Sequence, residues 1–396
     1  MPSPLNPQGR EWVYDKNVMA AAPGDETFYQ ALRAKGVSRR RFMQFVGAVA
    51  GMLGLEASAV PRIARALQAT RKLPLVWLEF QDCAGNTESF LRAAKPSVDE
   101  VILEAISLNY HETVMAPAGY LAEEVLRKTV RESPGEYIAV VEGSIPTKDG
   151  GVYCTIGGKT AVDLLAEAAA NAIAVVAVGN CATFGGIPAA KPNPTGAVQV
   201  NELVKDKPVL NLAGCPYNVV NLTATVVHFL TFAELPAMDS LGRPLFAYGA
   251  RIHDNCERRG HFDAGEFVVA WGDEGHRKGW CLYKMGCKGP VTFHNCPAVR
   301  WNDGTSWPVK SGHGCIACSE PGFWDLGVYN QASLQQYAPP STYAPVQLPA
   351  ANIDPAAVGI IGAVAGVAVG AAGVAAYNAL SKSDDSEEDS APEKKE

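Results

Sequence analysis

Between residues 73 and 215, short apolar runs alternate with stretches of helical spacing. The runs cover 75–78, 137–141, 173–178 and 209–212. They are rich in β-branched residues and nearly free of polar positions, the pattern of strands buried on both faces. Residues 160–172 carry good helix formers at helical spacing between two of these runs. Such alternation predicts a parallel sheet with helices on both faces. Beyond about residue 250 the periodicity stops, and Gly, Pro and aromatic residues rise. A loop-rich region of this kind has little core of its own and needs internal cross-links.

The two ends read differently. Ser38-Arg39-Arg40-Arg41-Phe42-Met43-Gln44 precedes a Gly/Ala-rich apolar run and then Ala64-Arg65-Ala66. A charged segment, an apolar stretch and a small-x-small pattern form the layout of an export signal, and the paired arginines point to the twin-arginine route. From Ala356 to Leu380 no residue is charged. That length suffices to cross a bilayer, so a single C-terminal transmembrane helix is expected. Gly362, Gly366 and Gly370 would line one face of it. The expected organisation is a signal over 1–66, an α/β domain over 67–235 and a cysteine-rich domain over 236–335. A linker over 336–355, an anchor over 356–380 and an acidic tail over 381–396 would follow.

Composition narrows the classes. The 396 residues are 47% apolar and 19% charged, which excludes long disorder. The net charge is −7, with no basic surplus to suggest nucleic acid. Six of the ten cysteines fall between 256 and 318. Clustered cysteines in a chain of this length read as metal ligands rather than disulfide staples.

Three other cysteines stand just after apolar runs, in Gln81-Asp82-Cys83-Ala84-Gly85-Asn86, Gly179-Asn180-Cys181 and Ala213-Gly214-Cys215. Ligands gather at the carboxyl ends of strands in open parallel sheets, so a shared metal cluster is expected there. The later group is His253, Cys256, Cys281 and Cys287, then Cys296, Cys315 and Cys318. Zinc takes four ligands in tight pairs, but only one Cys-x-x-Cys exists here. Iron–sulfur clusters tolerate the wider spacing, and three thiolates without a fourth fit a [3Fe–4S] core.

These residues resemble the small, electron-transferring subunit of membrane-bound [NiFe] hydrogenases. The likeness is carried by Gly179-Asn180-Cys181-Ala182-Thr183-Phe184-Gly185-Gly186, Ala213-Gly214-Cys215-Pro216, Lys278-Gly279-Trp280-Cys281-Leu282-Tyr283 and Gly314-Cys315-Ile316-Ala317-Cys318-Ser319-Glu320, with further matches over 190–196, 261–267 and 286–290. The resemblance implies a flavodoxin-like domain and three clusters in line. A proximal [4Fe–4S] cluster would take Cys83, Cys181 and Cys215. A distal [4Fe–4S] cluster would take His253, Cys256, Cys281 and Cys287. A medial [3Fe–4S] cluster would take Cys296, Cys315 and Cys318, with Pro308 where a fourth ligand would stand. The implied partners are a large subunit holding the nickel–iron site and a membrane cytochrome or other membrane carrier, on the periplasmic side. The chain would then be a hydrogenase subunit that is not catalytic alone.

The sequence departs from the family pattern at Asn86, where a fourth proximal cysteine is usual. The expected fourth ligand is an oxygen, Asp82 ahead of Asn86, with Cys154 as a small buried hydrophobe. Gly85 and Gly186 stand where oxygen-tolerant members carry extra cysteines, so no six-cysteine proximal cluster is expected. His111, His228, His261, His276, His294 and His313 read as structural or surface residues. Two other readings stay open: an exported zinc-stabilised binding protein, and an iron–sulfur subunit of a quinone-reducing complex.

Overall fold

The computed structural model describes residues 20–93 and 106–325, apart from 23, 35 and 303. Its centre is a sheet of five strands: β1 (Leu73–Glu79), β2 (Ile106–His111), β3 (Ile138–Glu142), β4 (Ala174–Val178) and β5 (Val209–Leu212). The order is β2-β1-β3-β4-β5 and every pairing is parallel. This is the flavodoxin-like order, with its switch point between β1 and β3. Four of the strands follow the apolar runs. The fifth, β2, alternates Ile106, Leu108 and Tyr110 with Ser107, Asn109 and His111. It lies at one edge of the sheet, and its polar positions break the apolar run, whereas the other edge strand, β5, keeps one.

Side-chain alternation along the strands builds a core on each face. Trp77, Val140, Val176 and Leu210 share one cluster. Val76, Leu78, Ala139, Val141, Val175 and Ala177 belong to the other. The helix expected over 160–172 spans Ala161–Ala170, and Thr160 caps it by accepting from the Asp163 N–H at 3.2 Å.

Three helices precede the sheet: Phe28–Ala34, Arg39–Met52 and Val60–Ala69. Phe42, Val46, Val49, Ile63 and Leu67 share the first core cluster with Leu222, Val226 and Phe229 of the long helix Val219–Phe232. Burying each large apolar side chain in this way stabilises the fold by about 1.5–3 kcal/mol. Arg39, Arg40 and Arg41 remain exposed at the start of their helix. The segment read as an export signal therefore has a packed apolar face and an exposed basic end.

The loop-rich region forms a smaller core of Ile252, Val268, Leu282, Trp307 and Val309 with Cys296 and Cys315. The expectation of a single membrane-crossing helix is corrected. Among the described residues no helix is long and apolar enough to cross a membrane. The longest have 14 residues, where about 20 are needed. Residues 356–380 lie outside the described residues, as do 336–355 and 381–396. The described fold class is a flavodoxin-like α/β domain plus a loop-rich domain, without a spanning helix.

Gly143 closes the turn after β3 at φ +89°, and a Cβ there would meet the Gln81 nitrogen at 2.8 Å. Gly143→Ala is expected to destabilise the chain by about 2 kcal/mol or more. A clear drop in thermal midpoint supports this, and an unchanged midpoint contradicts it.

Candidate metal centres

Parallel strands all present their carboxyl ends at one edge, and here three of them deliver cysteines. After β1 the chain runs through Cys83 into the helix Gly85–Leu91. After β4 the helix Gly179–Phe184 begins at once and carries Cys181. After β5 comes Cys215. The Asn180 N–H donates to the Gly214 carbonyl at 2.6 Å, tying the second and third loops together. Glycine is required at two positions. A Cβ on Gly179 would stand 2.3 Å from the Asn86 amide, and one on Gly186 would stand 2.5 Å from Cys181 Sγ. Both have positive φ, which L side chains resist.

Cys154 packs against the second core cluster. Asn86 is buried, and its Oδ1 accepts from the Tyr217 N–H at 2.9 Å. Asp82 has a buried Oδ2 with no hydrogen-bond partner.

In the loop-rich region, His253, Cys256, Cys281 and Cys287 line one small cavity with Arg258 and Leu282. Cys296, Cys315 and Cys318 line another of about 380 Å³, which also holds Pro308 and Cys215. The two groups touch: the Cys315 N–H donates to Cys287 Sγ at 3.2 Å. All ten predicted ligands thus fall into three adjoining sets. Among the described residues, no three His, Cys, Asp or Glu side chains converge to hold a single ion. Wider spacing is what a multi-iron core requires, whereas zinc draws its donors to within about 2.0–2.3 Å.

Burial dominates the electrostatics. It pushes Cys181 and Cys215 up to about 12, Cys256 to about 11 and Cys281 to about 12. Cys287, Cys296, Cys315 and Cys318 move the same way for the same reason. A thiolate at these places needs a neighbouring cation, and the donor set therefore fits iron–sulfur groups. Burial, followed by Arg259, lowers His253, which keeps its imidazole neutral and able to ligate.

A polar frame holds the sets in place. Asn180 Nδ2 donates to the carbonyls of Cys318 at 2.8 Å and Glu320 at 3.1 Å. Arg243, buried, pairs with Asp239 at 2.8 Å and Glu320 at 3.1 Å. His294 Nδ1 lies 3.0 Å from Cys296 Sγ, so it belongs to this centre rather than to the bland histidines. The His-x-Cys spacing was the available signal. Glu142 was missed for want of any motif; it is fully buried and accepts from Trp77 Nε1 at 3.0 Å and Asn86 N at 3.0 Å.

The family model for the C-terminal region of the NiFe/NiFeSe hydrogenase small subunit matches residues 248–329. The model for the 20 Kd subunit of NADH ubiquinone oxidoreductase matches residues 83–229. The uptake hydrogenase small subunit of Azotobacter vinelandii is 48% identical over 304 residues, covering 77% of this chain and 85% of that one. The quinone-reactive Ni/Fe-hydrogenase small chain of Wolinella succinogenes is 50% identical over 296 residues, covering 74% and 83%. This chain belongs to the [NiFe] hydrogenase small subunits. The fold agrees: a solved chain of the [NiFeSe] hydrogenase from Desulfovibrio vulgaris Hildenborough superposes with a TM-score of 0.61 at 38% identity, covering 64% of this chain and 95% of that one. As a member of this family, the chain is an iron–sulfur subunit of a hydrogenase that pairs with a nickel–iron large subunit.

One titration on this edge has a measurable sign. Burial lifts Glu112 from 4.5 to about 8, and its Oε1 is buried without a partner. The folded chain then holds a proton that the unfolded chain releases, so stability falls as pH rises from about 4.5 to about 8. Glu112→Gln is expected to flatten that fall in the thermal midpoint of the purified complex. An unchanged slope contradicts the assignment.

Proposed function

We propose that the chain relays electrons from hydrogen oxidation at its partner's nickel–iron site, through three iron–sulfur clusters, to a membrane acceptor. The observation that carries this reading is the adjacency of the three ligand sets. Cys215 lines the cavity of Cys296, Cys315 and Cys318, and the Cys315 N–H reaches Cys287 Sγ. When bound, the clusters supply one-electron redox steps.

The chain's own residues set the order of those steps. Cys83, Cys181 and Cys215 hold the proximal [4Fe–4S] cluster on the flavodoxin-like domain over 67–235. Cys296, Cys315 and Cys318 would hold a medial [3Fe–4S] cluster, and Pro308 lines the same cavity without offering a thiolate. His253, Cys256, Cys281 and Cys287 hold a distal [4Fe–4S] cluster, and both later sets belong to the domain over 236–335. N–H donors trim the charge on sulfur: Arg258 N to Cys256 Sγ at 3.4 Å and Ala317 N to Cys315 Sγ at 3.4 Å. Such donors raise a cluster's potential. At the fourth proximal corner an oxygen of Asp82 or Asn86 stands in for a thiolate, and Asp82→Ala and Asn86→Ala, compared by their proximal spectra, separate the two.

Residues 1–66 serve as the twin-arginine export signal, which places the assembly on the periplasmic side of the membrane. A quinone-linked acceptor is suggested by the name of the Wolinella relative. The zinc-stabilised alternative fares worse, because the chain belongs to the hydrogenase small subunits. The quinone-reducing-complex alternative fits residues 83–229 but leaves the ligand set after 248 without a role.

The native complex, purified anaerobically, is expected to carry about eleven irons per small subunit, from 4+4+3. Gly186→Ala would push Cys181 out of place and remove about four of them. Full iron retention in that variant contradicts Cys181 as a ligand.

A further inference from the structure

Trp307 is 3% exposed, and its Nε1 is buried with no hydrogen-bond partner. An indole N–H is a donor only, and folded chains give almost every buried donor an acceptor. The apolar core around Trp307 cannot supply one, because the side chains of Ile252, Val268, Leu282 and Val309 carry no oxygen or nitrogen. Trp307 also lines the cavity of about 380 Å³ that Cys296, Cys315 and Cys318 share. The missing acceptor is therefore sought on that side.

The other buried polar side chains of the cavity are Thr292, His294 and Ser319. The Thr292 hydroxyl donates to the Lys288 carbonyl at 2.7 Å, and the Ser319 hydroxyl donates to the Phe293 carbonyl at 3.1 Å. His294 Nδ1 stands 3.0 Å from Cys296 Sγ. A ligating cysteine has no hydrogen to give, so the His294 hydrogen lies on Nδ1 and its Nε2 is an acceptor. Trp307 is thus the buried side chain of this cavity whose hydrogen is not yet given. No cysteine sulfur receives it. Cys315 Sγ accepts from the Ala317 N–H at 3.4 Å instead.

The indole is also held in place. The Trp307 carbonyl accepts from the Ser311 N–H at 3.0 Å, and the Pro308 carbonyl accepts from the His313 N–H at 2.9 Å, two residues ahead of Cys315. Ring and ligand therefore ride on one short, closed stretch of chain.

We propose that Trp307 Nε1–H donates to an inorganic sulfide of the medial [3Fe–4S] cluster and raises its potential. The inference rests on the reading of Cys296, Cys315 and Cys318 as the ligands of that cluster. An N–H aimed at sulfide favours the more negative, reduced state, because the added charge strengthens the hydrogen bond. Trp307 keeps its hydrogen in both oxidation states. Its part is to hold the middle station of the relay ready to accept an electron.

The test compares the native anaerobic complex with Trp307→Phe, which keeps a ring and loses the N–H. Both are grown with tryptophan carrying heavy nitrogen in the indole. Electron–nuclear double resonance on the oxidised [3Fe–4S] signal should show an indole-nitrogen coupling in the native complex that Trp307→Phe removes. In redox titrations, the ratio of reduced to oxidised medial cluster at the native midpoint should fall about tenfold in the variant, a downward shift of about 59 mV. A native complex without any indole-nitrogen coupling overturns the inference, however the variant folds. A coupling that survives in Trp307→Phe belongs to Trp301, which lines the same cavity, and overturns it too. So does a variant that keeps the native midpoint, the result expected if the indole only fills space or donates to water. Absence of a [3Fe–4S] signal from the native complex removes the cluster reading and this inference with it.

Discussion

A thiolate in a low-dielectric interior is unfavourable unless a cation lies against it. This chain buries or half-buries nearly all of its candidate ligand sulfurs and raises the thiols it buries. The architecture follows from that constraint. A parallel sheet brings three strand ends to one edge, and glycines with positive φ leave room where a Cβ would collide. The loop-rich region has a small apolar core that includes two of the candidate ligand cysteines themselves, Cys296 and Cys315.

The polar frame has the complementary role. Arg243, Asp239 and Glu320 form a buried charged group that fixes the loop after Cys318 to the segment around Asp239. Asn180, on the second cysteine loop, ties that same loop after Cys318 to the flavodoxin-like domain. Breaking such a pair leaves a buried charge uncompensated, which costs about 3–5 kcal/mol, so the spacing between ligand sets is held stiffly. A relay of electrons needs that stiffness more than it needs any moving part.

Much of this was legible in the chain. Continuous apolar runs marked four strands because their residues are buried on both faces. β2 escaped because Ser107, Asn109 and His111 interrupt its apolar residues. The ten candidate ligands stood out because thiolates and one imidazole at such spacings have few other uses, and the fold gathers them into three sets. Glu142 and its donors Trp77 and Asn86 come from different parts of the chain, and only the fold brings them together, so no motif announces them. His294 was read as a structural or surface residue; it is buried, with Nδ1 3.0 Å from Cys296 Sγ. The spanning helix expected from a charge-free stretch has no counterpart among the described residues. Residues 356–380 themselves lie outside the described residues.

The most direct measurement is an anaerobic redox titration of the native complex followed by electron paramagnetic resonance, with acid-labile sulfide assayed on the same protein. Three separable reduction steps, one of them from an oxidised [3Fe–4S] signal, are the predicted result. Stoichiometric zinc, no labile sulfide and no redox-active signal from the small subunit would contradict the account.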